Sequence, residues 1–68
     1  MSLCFKLHNK KLKLSAIVNT NNNQYFVSIK IADCVIYDLS YWTENEAKTQ
    51  AKDRFTLLTT ALNSVIGN

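Results

Sequence analysis

Proline is absent from this 68-residue chain, and glycine occurs once, at Gly67. Turns must then be closed by Asn, Asp, Ser and Thr, which hydrogen-bond the nearby backbone and tolerate unusual φ better than most residues. Asparagine is plentiful (Asn9, Asn19, Asn21, Asn22, Asn23, Asn45, Asn63, Asn68), and most of it lies in gaps between apolar stretches. The shortage of glycine also excludes the usual phosphate-cradling loops. Cysteine occurs twice, at Cys4 and Cys34. One bridge is the most they allow, and in a chain without an export signal reduced thiols packed in strands are expected.

Catalytic side chains are equally sparse. The single histidine, His8, stands among lysines. No carboxylate pair has a spacing suited to acid–base work, and no serine sits in a nucleophile-elbow context. Cys4 and His8 are four apart on an extended segment, too far to share a metal without a bend, and Cys34 adds no ligand pair. The expectation is a protein that is not an enzyme, with no cofactor and no metal site.

Acid is missing from residues 1–31, which carry Lys6, Lys10, Lys11, Lys13 and Lys30. Residues 32–68 carry Lys48, Lys52 and Arg54 against Asp33, Asp38, Glu44, Glu46 and Asp53. The net charge of +3 is thus one-sided, which implies a one-sided electrostatic surface. The first residues lack the apolar core of a signal peptide, and no run approaches a membrane span. A cytoplasmic protein with no membrane partner is expected. Apolar residues make up 47% of the chain, enough to fold one small domain over residues 1–68 and too many for a disordered tail.

What is present is periodic. Residues 3–7 alternate Leu3, Phe5 and Leu7 with Cys4 and Lys6. Residues 12–18 alternate Leu12, Leu14, Ala16 and Val18 with Lys13, Ser15 and Ile17. Residues 25–31 alternate Tyr25, Val27, Ile29 and Ile31 with Phe26, Ser28 and Lys30. Period two is the mark of a half-buried strand. A fourth run, 34–39, is apolar more continuously, and its inward face is ambiguous. Residues 3–18 also fit one long bent strand, which leaves three strands or four.

After residue 42 the period changes. Thr43-Glu44-Asn45-Glu46 is a capping box, with Trp42 placed to staple against Ala47. Ala47, Ala51, Phe55, Leu58, Leu62 and Val65 then recur at steps of four and three, one stripe of a helix over about 44–66, roughly 33 Å long. Lys48, Lys52, Thr49, Thr56, Thr60 and Asn63 fall on the far side, and Glu44 with Lys48 is a favourable i, i+4 pair. Gly67 is the expected stop. Arg54 projects within the apolar arc; either its stem packs while its head snorkels to water, or it pairs with Asp33 or Asp38.

These elements predict an α+β domain, an antiparallel sheet of three to four strands with one long carboxy-terminal helix on one face. The covered face is assigned Leu3, Phe5, Leu7, Leu12, Leu14, Ala16, Val18, Tyr25, Val27, Ile29 and Ile31. The open face is assigned Cys4, Lys6, His8, Lys11, Lys13, Ser15, Ile17, Phe26, Ser28 and Lys30, with His8 and Lys10 at the turn. The candidate binding residues are Lys6, Lys11, Lys13, Phe26, Lys30 and Trp42. Lysines meet phosphates and Phe26 can stack a base, although lysine without arginine reads sequence poorly. Ile17, Phe26, Cys4, Tyr37, Tyr41 and Trp42 suit a protein partner or a second copy of the chain.

The order of strands and a helix opening T-x-x-E-A is similar in outline to the end of a double-stranded-RNA-binding domain. It is also similar to small antitoxin domains of three strands and a helix. In the first family lysines open the helix; here Glu44 and Asn45 stand there, and only Lys48 matches. That family's first helix has no counterpart here. No residue role carries over from either resemblance. The expected function is a small non-enzymatic binding protein that occupies a protein or nucleoprotein partner, a regulator or inhibitor of the kind phages and mobile elements encode. The alternative is a nucleic-acid-binding module using the basic open face. A homodimer through a sheet face or edge is compatible with both.

Overall fold

The computed structural model describes residues 2–66. Four antiparallel strands, β1 (Ser2–Asn9), β2 (Leu14–Asn21), β3 (Gln24–Ile31) and β4 (Cys34–Tyr41), form a sheet in the order β1-β2-β3-β4. One helix, α1 (Glu44–Ile66), follows and packs on one face. The architecture is the α+β sandwich of one sheet and one helix that the alternation and the change of period predict. The stop expected at Gly67 lies outside the described residues.

The turns show how a chain with so little glycine reverses direction. Asn22 and Asn23 both take positive φ, 53° and 63°, between β2 and β3. A two-residue hairpin with both central residues left-handed is the type I′ arrangement, whose twist matches the flanking strands. The strands therefore run closer to the turn than expected, to Asn21 and from Gln24. Residues 10–13 join β1 to β2, with the Leu12 N–H donating to Asn9 Oδ1 at 3.1 Å. Lys13 leaves that turn at φ 55°, and its carbonyl accepts from the Ala32 N–H at 2.7 Å. Ala32, at φ 55°, occupies the β3–β4 turn. Two strands are thus separated by a tight connection over residues 10–13, and the single bent strand does not form.

Register sorts the side chains into rows. On the helix side the rows are Phe5–Val18–Val27–Leu39, Leu7–Ala16–Ile29–Tyr37 and Asn9–Leu14–Ile31–Cys34. Leu14, Ala16, Val18, Val27 and Ile29 are fully buried beneath Ala47 and Ala51, and Leu12 reaches the same core from its turn. Two alanines let the helix backbone approach the central strands closely, while Phe55, Leu58 and Leu62 fill space farther along. The Glu46 N–H donates to Thr43 Oγ1 at 3.2 Å and the Ala47 N–H to the Thr43 carbonyl at 3.1 Å, so the expected N-cap is in place. Glu44 and Lys48 pair at 2.9 Å. Lys48, expected on the far side, is half-buried on the flank toward β1, because seven residues are nearly two full turns and it shares that flank with Phe55.

Two irregularities correct the expected faces. β1 shifts register between Leu3 and Phe5, so Cys4 is an extra residue. Leu3 then pairs with Asn19 on the open face and is 61% exposed, while Cys4 packs against the core. β4 shifts between the partners of Ile29 and Lys30, making Ile36 the extra residue there. That bulge explains why the alternation of 34–39 is blurred. Val65, expected on the buried stripe, is exposed, because a helix of roughly 33 Å outruns strands of about 24 Å. Trp42 keeps 75% of its surface in solvent and does not act as the staple.

Candidate functional site

The face away from the helix is a grid of three rows of four. They read Leu3–Asn19–Phe26–Ser40, Lys6–Ile17–Ser28–Asp38 and His8–Ser15–Lys30–Val35. Each row spans the four strands, so the side chains stand on a hydrogen-bonded backbone and not on loops. Ile17 and Phe26 are diagonal neighbours on the two central strands, about 8 Å apart from strand geometry. Both are half-buried by the side chains around them. Lys6 and His8 border them on β1, and Lys30 lies one row beyond on β3, about 12 Å from Lys6 by the same spacings. Asp38 is the one acid of the grid.

The structure brings together three of the expected binding residues and separates three. Lys6, Phe26 and Lys30 share the grid. Lys11 and Lys13 do not lie on the open face; the alternation ends before them, and both are exposed in the β1–β2 turn. His8, expected at the turn, is in β1 opposite Ser15. Trp42 stands at the corner between β4 and α1, apart from the grid. His8, Lys10, Lys13, Ser15, Ala32 and Asp33 line an open depression of about 510 Å³ at this end of the sheet. The basic face thus continues over its edge into the turn, where Asp33 partly offsets it.

Leu3, Asn19, Val35, Asp38 and Ser40 belong to the grid although the alternation did not place them there. Leu3 and Val35 were hidden by the two bulges, for which no glycine or other marker stands in the sequence. Asn19 was read as loop, yet it continues β2 because the following asparagines close the hairpin in two residues.

A second surface lies along β4. Tyr37 and Tyr41 share a hydrogen bond between hydroxyls, and the Arg54 guanidinium lies 4.1 Å from the centre of the Tyr37 ring. Asp38 faces the other side, opposite Ser28, so Arg54 settles on an aromatic ring in place of the aspartate. Burial, and next the bond to Tyr37, push the Tyr41 phenol above its ordinary pKa, with Arg54 pulling the other way. Ile29, Ile36, Tyr37, Arg54, Leu57 and Leu58 enclose a groove of about 190 Å³ between this edge and the helix.

Cys4 and Cys34 are free and lie on opposite outer strands. Three strand spacings, about 14 Å, separate them, beyond the reach of a disulfide. Among the described residues no three His, Cys, Asp or Glu side chains gather as a metal site requires. No described helix is long and apolar enough to cross a membrane. Comparison of the chain with protein-family models, curated proteins and solved structures finds no match in any of the three, so its action has to be read from its own residues.

Proposed function

We propose that this chain is a small non-enzymatic binding protein that occupies a protein partner, free or within a nucleoprotein, through the open face of its sheet. The supporting observation is the grid itself, in which Ile17 and Phe26 form an apolar centre framed by Lys6, His8, Lys30 and serines. An apolar centre with a polar rim is the anatomy of a protein interface. The positive rim favours a partner whose own rim is acidic. A rigid sheet has little ordering to undergo on docking, which suits a regulator or inhibitor acting by occupancy. Two separate free thiols fit a reducing, cytoplasmic setting.

Nucleic acid is the second reading, favoured by Lys10, Lys11 and Lys13 lying exposed beside His8 and Lys6. One aromatic on the grid is a short stacking platform for it. Affinity capture with the immobilised chain separates the two. A protein retained after nuclease treatment and lost with Phe26→Glu supports the first reading. Binding to a generic oligonucleotide that falls steeply with salt, and is lost with Lys6→Glu and Lys30→Glu while Phe26→Ser is tolerated, replaces it with the second.

A further inference from the structure

We propose that β4 is the seam of a homodimer, in which two copies pair antiparallel about Leu39 and join their sheets into one of eight strands. β4 is an outer strand with unpaired backbone groups along its free side. It carries no lysine or proline, two of the devices natural edges use to stay single, and its bulge at Ile36 lies outside the regular stretch 37–41. Val35, Ile36 and Leu39 are each about half exposed along it, with Trp42 beyond its end and Leu57, 68% exposed, on the neighbouring helix.

The choice of a second copy rests on self-complementarity. A two-fold pairing must set helix face against helix face, which allows only registers centred on a residue of the strand. Centring on Asp38 sets two carboxylates directly opposite each other, which is unfavourable. Centring on Tyr37 runs the pairing into the Ile36 bulge. Centring on Leu39 uses only the regular stretch, residues 37–41. It sets Leu39 against Leu39 of the other copy, Tyr37 against Tyr41, and Asp38 against the hydroxyl of Ser40.

The same register carries Trp42 of each copy to the level of Ile36 of the other, beside the 190 Å³ groove that Ile36 and Leu57 line. Ile36, Leu39, Trp42 and Leu57 offer on the order of 500 Å² per copy, so two copies bury at most on the order of 1,000 Å², where specific interfaces begin. The open faces lie on the same side of the joined sheet and become one continuous surface, whatever that surface binds.

Sedimentation equilibrium of the purified chain over a concentration series tests this. The expected result is a mass approaching twice 7.8 kDa at micromolar to millimolar concentration. Leu39→Lys and Leu57→Glu, both at exposed positions, should leave the circular dichroism unchanged and weaken association by roughly 30-fold or more. A chain that stays at 7.8 kDa throughout overturns the proposal. So does a dimer that tolerates Leu39→Lys but dissociates with Phe26→Glu, since that dimer uses the open face. Register is read separately by Leu39→Cys with Cys4 and Cys34 both changed to Ser. Oxidation should link the two copies, because opposed residues lie within disulfide reach. Failure to link while the dimer persists overturns the Leu39-centred pairing.

Discussion

β1 and β4 are the outer strands of one sheet, and they are finished in different ways. On β1, Cys4, Phe5 and Leu7 are half-buried against the core, and the Lys48 ammonium lies 6.0 Å from the centre of the Phe5 ring. Phe55 and Leu62 follow Lys48 at steps of seven, so the helical period places them on the same flank, toward β1. Each outer strand has a bulge, at Cys4 and at Ile36, and on β1 Lys6 and His8 add a further guard against another strand. On β4, Tyr37 and Tyr41 are half-buried against the core, but Ile36 and Leu39 are half bare on the helix side, and Arg54 and Leu57 border the groove at Ile36 without closing over it. The geometric reason is width. Four strands span about 14 Å between outer axes, and a helix about 10 Å across cannot cover both edges with its larger side chains. This helix sends Phe55 and Leu62 toward β1 and Arg54, Leu57 and Leu58 toward β4, where a groove stays open between them.

Truncating one residue on each edge is the most forceful way to break that contrast. Phe5→Ala should lower the unfolding free energy by about 2 to 3 kcal/mol, below the full cost for a completely buried Phe because Phe5 is only partly covered. Ile36→Ala, measured at concentrations where the chain is a monomer, should lower it by less than about 1 kcal/mol. A domain of this size holds only about 5 kcal/mol in all, so urea unfolding resolves the two easily. Equal losses would mean that β4 is as well covered as β1.

The helix and the strand faces were legible because each rests on a long repeat of small errors: Ala47, Ala51, Phe55, Leu58 and Leu62 fall on one stripe whatever the exact bounds. The buried set Leu14, Ala16, Val18, Val27 and Ile29 follows from strict alternation in the two central strands. What escaped were single-residue events at the outer strands. A bulge at Cys4 or Ile36 inverts which face a neighbour occupies, and no glycine marks either one. Lys11 and Lys13 were carried past the end of the alternation for a related reason, since Leu12 is buried from a turn and so mimics a strand position. Of the candidate site, the part on regular strands (Lys6, Phe26, Lys30) was therefore readable. The groove along β4 was not, because it depends on how a helix divides its side chains between two edges.

The turns sharpen the comparison at a smaller scale. The β2–β3 turn at the sheet's centre uses Asn22 and Asn23 at positive φ, where asparagine costs little. The two outer turns instead hold Lys13 and Ala32, both at φ 55°, a region that costs a residue with a Cβ about 1 kcal/mol. Ala32 is exposed, so its methyl group contributes little packing in return. Ala32→Gly should therefore raise stability by up to about 1 kcal/mol, a rise of several degrees in Tm for a chain this short. A fall on the same substitution would place the β3–β4 turn beside the central one as well fitted, and end the contrast between central and outer turns.

The smallest effect concerns the one polar cluster that β4 does possess, Tyr37, Tyr41 and Arg54. Burial and the hydroxyl bond to Tyr37 hold the Tyr41 phenol above its ordinary value near 10, despite the opposing pull of Arg54. The fold therefore prefers the neutral phenol more than the unfolded chain does. That preference contributes fully below pH 10 and is lost as pH rises through the higher folded value, so stability should decline on the alkaline side. Tyr41→Phe removes the ionising group and should flatten that part of the decline, at a cost of the hydroxyl bond of about 1 kcal/mol or less at neutral pH. Urea unfolding of both chains at pH 9 and pH 11 measures the difference. An alkaline decline of the same size in Tyr41→Phe as in the unaltered chain would show that the hydroxyl pair is solvated, leaving β4 bare on its helix side as well as along its free edge.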